Sequence, residues 1–258
     1  MNNHQKHVLM KKSLFIALLM LVFASPVINA VTFTKYSGSR HYYIPELSEF
    51  EGCAIGGNIE FNIEFPIDGS ANLQKAILKN AFKYDGTSLN DGIEYFLATF
   101  SRDYPNSIIK KAEECNYDSF EFLACEGAVI SQTPNIITYE CDITTYAAMA
   151  PRSFFEKSIF NYFLSAQKVL YVSDIFLESK KSEIISAIKQ QSRHNPDLSY
   201  LNGELYIENF DKFIITEEGI TFVFGDRELV DGPGIYKISV PKDMLSGCLT
   251  HLGELLIN

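Results

Sequence analysis

Asn58-Ile59-Glu60-Phe61-Asn62-Ile63-Glu64-Phe65 alternates apolar and polar side chains without a break. Successive side chains of an extended chain point to opposite faces. This period of two therefore puts Ile59, Phe61, Ile63 and Phe65 on one strand face and Asn58, Glu60, Asn62 and Glu64 on the other. Pro66 and Asp68-Gly69 end the strand, after which Leu73, Ala76, Ile77 and Ala81 recur at helical spacing to cover a core face. Ser70 stands where its hydroxyl can accept an amide proton of the first helical turn.

Working outward, residues 93–100, 118–122, 128–131 and 136–143 read as short strands separated by turns at Tyr104-Pro105-Asn106 and Gln132-Thr133-Pro134-Asn135. Beyond Pro151, Ile159-Phe160-Asn161-Tyr162-Phe163-Leu164 and Val169-Leu170-Tyr171-Val172 fit paired strands around Ser165-Ala166-Gln167-Lys168. Ile184, Ile185 and Ile188 form an apolar helical stripe, which Pro196 stops by removing a backbone donor. Leu205 and Ile207, Phe213 and Ile215, then Ile220, Phe222 and Phe224 restore the period of two, with Glu217-Glu218-Gly219 as a connection. Residues 235–240 form a last strand, and Pro241 leads into a short terminal helix with Met244, Leu245, Leu249 and Leu252. These patterns predict an α+β fold of two mixed helix and mainly antiparallel-sheet domains, residues 31–150 and 151–258.

The chain has 258 residues, 47% hydrophobic, and a formal charge of -10, too apolar for an acidic disordered tail. Lys11 and Lys12 precede the apolar run from Leu14 to Ala24, and the small residue Ala30 follows. Residues 1–30 are thus expected to be a cleaved secretory signal peptide, the run being too short to span a membrane comfortably. Periplasmic or secreted localisation follows, with no stable transmembrane span after cleavage. Cleavage would remove Lys6, Lys11 and Lys12 and no acid, leaving the mature chain still more acidic. Without a concentrated basic surface, nucleic acid is not an expected partner.

Export would expose Cys53, Cys115, Cys125, Cys141 and Cys248 to an oxidising compartment, and one or two structural disulfides are expected. Cys115 to Cys125 could close a hairpin and Cys141 could pair across strands; spacing chooses neither. No CxxC pair or histidine cluster accompanies these cysteines, so no metal site is assigned. His41, His194 and His251 lie far apart and outside any HExxH arrangement.

Val169-Leu170-Tyr171-Val172-Ser173-Asp174-Ile175-Phe176, Ile207-Glu208-Asn209-Phe210, Ile214-Ile215-Thr216-Glu217-Glu218-Gly219-Ile220-Thr221-Phe222 and Ile238-Ser239-Val240-Pro241, in that order, resemble the domain-of-unknown-function family 3298. Residues 45–148 resemble a divergent form of family 4163, which often precedes it. The resemblance implies an exported or membrane-tethered envelope protein. That family includes lysozyme-sensing anti-sigma factors and accessory regions beside a peptidoglycan deacetylase domain. Its Gly-Gly-Ala-His segment is replaced here by Thr145-Tyr146-Ala147-Ala148-Met149-Ala150-Pro151-Arg152, and its Tyr-Glu-Ile-Ala-like stretch by Asp226-Arg227-Glu228-Leu229-Val230-Asp231. Lysozyme recognition therefore does not carry over.

No organised catalytic motif emerges. Ser131, Ser165 and Ser173 lack a GxSxG context, and Gly56-Gly57 and Gly232-Pro233-Gly234 make no phosphate-binding fingerprint. Glu113-Glu114 and Glu217-Glu218 read as solvated acids. The expected function is a noncatalytic envelope binding or sensing module, without cofactor, that meets an envelope protein or glycan. Its contact candidates are Tyr42, Tyr43, Tyr104, Tyr146 and Arg152, since aromatic rings offer broad apolar contact and Arg adds directional hydrogen bonds. The alternative is a peptidoglycan or polysaccharide hydrolase or deacetylase, in which two carboxylates converge in space.

Overall fold

The computed structural model describes residues 30–43, 56–103, 120–146, 154–194, 198, 205, 207, 209–225, 228–229 and 234–257. The expected signal peptide, residues 1–30, lies outside them save for Ala30. Residues 31–258 form one compact unit.

Six strands make the larger sheet: β1 (Phe33–Tyr43), β2 (Gly56–Pro66), β3 (Phe120–Gln132), β4 (Ile136–Tyr146), β5 (Phe154–Phe163) and β6 (Lys168–Leu170), paired in sequence order. Every pair is antiparallel except β2 with β3, whose parallel pairing needs a crossover. Helices α1 (Ala71–Phe82) and α2 (Leu89–Asp103) fill it. The alternation in β2 sends Ile59, Phe61, Ile63 and Phe65 into a core with Leu73, Ile77, Leu78, Ala81 and Phe82 of α1. Ser70 caps α1 by accepting the Leu73 amide at 3.3 Å, and its hydroxyl meets the Tyr162 hydroxyl of β5 at 2.6 Å.

Residues 93–100, expected as a strand, belong to α2. Phe96 and Leu97 share a buried face with Ile93, at the i, i+3, i+4 spacing of a helix, and Phe96 packs 4.9 Å from Phe82. The separate strands expected at 118–122 and 128–131 are one strand, β3, bulged between Val129 and Ser131. Gly127 does not break it. A Cβ there would stand 2.4 Å from the Tyr139 hydroxyl, so the glycine makes room for a buried tyrosine that donates to the Glu64 carbonyl at 2.9 Å.

The smaller sheet is the antiparallel meander β7 (Phe213–Thr216), β8 (Gly219–Phe224) and β9 (Tyr236–Pro241). With α3 (Val172–Ile175), α4 (Lys181–Ser192) and α5 (His251–Ile257) it encloses a second core, including Ile184, Ile188, Phe213, Phe222 and Ile238. Phe176 stands at its centre, 5.8 to 6.1 Å from the rings of Phe210, Phe213 and Phe222. The expected continuous terminal helix is instead a 3-10 turn, Lys242–Leu245, followed by α5. Gly247, at φ +73, breaks it between the two, and Leu249 bridges back to Phe176.

The sheet does not stop at the boundary expected near residue 150. β4 and β5 pair from Ile136 with Phe163 to Thr145 with Phe154, so Phe160 and Tyr162 complete the first core. Asn161 links the two sheets, accepting from the Thr138 hydroxyl at 2.8 Å and donating to the Phe213 carbonyl at 2.7 Å. The expected disulfides are also corrected for the described cysteines: Cys125, Cys141 and Cys248 are free thiols. Cys53 and Cys115 lie outside the described residues. Cys125 and Cys141 sit on β3 and β4 with their Sγ atoms 3.7 Å apart, a contact rather than a bond. Their register is diagonal, Cys125 opposite Ile143 and Cys141 opposite Gly127, which separates the Cα atoms more than direct pairing would.

Candidate functional site

Strand β6 covers only part of β5. It pairs with Asn161, Tyr162 and Phe163, then the chain turns away at Tyr171 into α3. Asp174 fixes that corner: one carboxylate oxygen accepts the Tyr171 amide at 2.9 Å and the other meets Lys168 at 2.5 Å. Burial alone would raise the Asp174 carboxyl, but these two donors outweigh it and hold the group below its ordinary value.

Where β6 departs, a cleft of about 540 Å³ opens along β5. Ser158, Ile159 and Phe160 of β5 line it together with Val169, Leu170, Tyr171 and Val172 of the β6 corner. Ala76, Lys79, Asn80 and Lys83 of α1 form one bank, and Asp211 and Lys212, just before β7, form the other. Lys83 pairs with Glu156 at 2.6 Å and Lys212 with Glu228 at 2.5 Å. Among the described residues Lys79 has no ion-pair partner. The cleft thus joins an apolar floor to a lysine without an ion-pair partner among the described residues, and Tyr171 stands 67% exposed at its rim.

A second polar group occupies the sheet face turned away from α1. One row runs across the strands through Ser37, Asn62, Glu126, Asp142 and Lys157. Lys157 is buried and meets Glu140 at 2.8 Å and Asp142 at 2.6 Å. Burial pushes the Asp142 carboxyl above its ordinary value; bonds from Lys157 oppose this, and Glu140 and Glu126 reinforce it. Glu64, Glu126, Glu140 and Asp142 line a groove of about 140 Å³ with Lys35 and Asn62. Among the described residues no group of three or more His, Cys, Asp or Glu side chains is arranged to hold a metal ion.

Of the expected contact residues, Tyr42 and Tyr43 lie at the end of β1, opposite Gly57 and Gly56, and Tyr146 ends β4 opposite Phe122. The registers of β1 to β4 bring these positions to the same end of the sheet, with Tyr146 in the row of His41, Asn58 and Phe122. Tyr146 is exposed. Tyr104 and Arg152 lie outside the described residues. The β5 cleft was not among the expected sites. Lys79 and Lys83 are neighbours on α1, but Lys212 lies more than a hundred residues further along the chain, and only the folded structure brings the two banks to one edge of β5.

The chain shares its fold with solved members of the DUF3298 family. One, from Bacteroides fragilis, has a TM-score of 0.73 at 16% identity, covering 88% of this chain and 98% of its own. Another, from Pseudomonas aeruginosa, has a TM-score of 0.58 at 12% identity over 88% of this chain and 97% of its own. No family model and no curated protein matches the sequence. At these identities the DUF3298 likeness is one of fold, and it spans both sheets. No helix among the described residues is long and apolar enough to cross a membrane.

Proposed function

We propose that the chain is an exported, noncatalytic cell-envelope module, periplasmic or secreted, that binds or senses an envelope protein or glycan. In this reading residues 45–148 are a divergent relative of family 4163. The observation that carries the proposal is the β5 cleft. It joins apolar contact from β5 to an exposed tyrosine at the β6 corner and to Lys79 of α1, which has no ion-pair partner among the described residues, features of a recognition surface. The aromatic end of the sheet, with Tyr42, Tyr43 and Tyr146 and the nearby sequence positions Tyr104 and Arg152, is proposed as a further contact area.

The competing reading is a polysaccharide hydrolase or deacetylase, favoured by the raised Asp142 carboxyl in an acidic groove. Such chemistry needs two carboxyls flanking the scissile bond, one of them kept protonated. Glu140 and Asp142 are both paired with Lys157, which weighs against this reading. The test is to immobilise the mature chain, recover an envelope component, purify it and titrate it directly. Saturable binding without turnover is expected. Time-dependent cleavage or deacetylation of wall polymer above an inactive-protein control would overturn the proposal.

A further inference from the structure

The β5 cleft opens onto a strand edge that has no partner strand among the described residues. Leu164 donates its amide to the Asn135 carbonyl at 2.9 Å, one step beyond the pairing of Ile136 with Phe163. The register then runs without a shift to Phe154. Backbone groups of an antiparallel strand alternate between its two sides. Residues 154, 156, 158, 160 and 162 therefore bond to β4, while 155, 157, 159, 161 and 163 turn their N–H and C=O groups the other way. Strand β6 takes Asn161 and Phe163. Phe155, Lys157 and Ile159 have no strand partner among the described residues, and Ile159 lies on the floor of the cleft.

We infer that this edge is the binding determinant of the module, and that its occupant is an extended peptide segment of a partner protein carrying an acidic side chain. Such a segment adds to β5 as a further strand, its backbone meeting groups of Phe155, Lys157 and Ile159 that have no strand partner among the described residues; Lys157 and Ile159 are buried, and Ile159 is reached from the cleft. Unpaired strand edges accept another chain in this way unless they are blocked or covered. The acidic residue is set by charge: Lys83 and Lys212 are already matched by Glu156 and Glu228, whereas Lys79 on the α1 bank has no ion-pair partner among the described residues. The inference rests on the binding-module reading and narrows its partner from any envelope component to a peptide in strand conformation.

The probe is a library of random twelve-residue peptides displayed on phage, selected against the mature chain. Enriched peptides are expected to alternate apolar and polar residues and to carry at least one Asp or Glu. Methylating alternate backbone nitrogens of a selected peptide should weaken binding about tenfold, because strand addition depends on those donors. Ile159→Pro removes the edge N–H without touching the bonds to β4 and should weaken binding by a similar factor, with Ile159→Val as the control. Lys79→Glu should disfavour the acidic peptides. Selected peptides that tolerate both N-methylation patterns and Lys79→Glu would overturn the inference, and the methylated peptides decide it even if Ile159→Pro does not fold. If no peptide is enriched while an envelope glycan or folded protein still binds saturably, strand addition is wrong and the binding-module reading stands. If nothing binds at all, both fail.

Discussion

Asp142 carries an energetic signature that a pH titration reads directly. Burial favours its neutral form, so the native state keeps the Asp142 proton to a higher pH than the unfolded chain does. The sign follows from linkage. Where the native state binds more protons, stability falls as pH rises, and this loss spans the interval from the unfolded value up to the raised native one. Asp142→Asn should flatten the fall of the urea midpoint that sets in as pH rises through and beyond the ordinary aspartate range, whatever it does to absolute stability. An unchanged slope would mean that Lys157 already balances the burial. The cysteines show the same influence of surroundings. Cys141 bonding and burial together push the Cys125 thiol well up, and burial raises Cys248. None of this is visible in the sequence, where Asp142 and Lys157 are fifteen residues apart and Cys125 reads only as a possible bridge.

Among the elements, the β7–β8 hairpin depends on one residue. Gly219 has φ +154, and a Cβ there would lie 2.2 Å from the Val240 carbonyl oxygen on β9. Gly219→Ala should destabilise the protein by about 1 to 3 kcal/mol through backbone strain and this clash, measurable as a lower midpoint in chemical denaturation. An unchanged midpoint would show that β9 can yield. Here the sequence was legible, because a glycine after two glutamates between alternating runs has a local physical meaning. The same holds for Ser70, α1 and β2, whose signals lie within one turn or one strand. Residues 93–100 were misread because Ile93, Phe96 and Leu97 satisfy a helical spacing that a short apolar run does not distinguish from a strand, and the deciding contact, with Phe82, is on another helix. The role of Gly127 is set by Tyr139 across the sheet, a contact that no local pattern carries.

For the whole molecule, the α+β class followed from composition of the elements, but their grouping did not. A proline near residue 150 looks like a boundary in one dimension, while in space β4 and β5 are neighbours and Asn161 ties both sheets together. A fragment ending at residue 150 would lose β5, and with it Phe160 and Tyr162 from the first core. It should show no cooperative unfolding and a weakened near-UV tyrosine signal; a fragment that melts cooperatively would show that the first core closes without β5. The candidate cleft was illegible for the same reason, since it exists only where β6 leaves β5 between two banks contributed from distant parts of the chain. The proposed function is tested most directly by incubating purified residues 31–258 with wall polymer and with a purified envelope component that they recover, following bound fraction and product in the same samples. A saturable isotherm with no product accumulating over time is the expected result. Product that grows with time, and that Asp142→Asn abolishes, would contradict it.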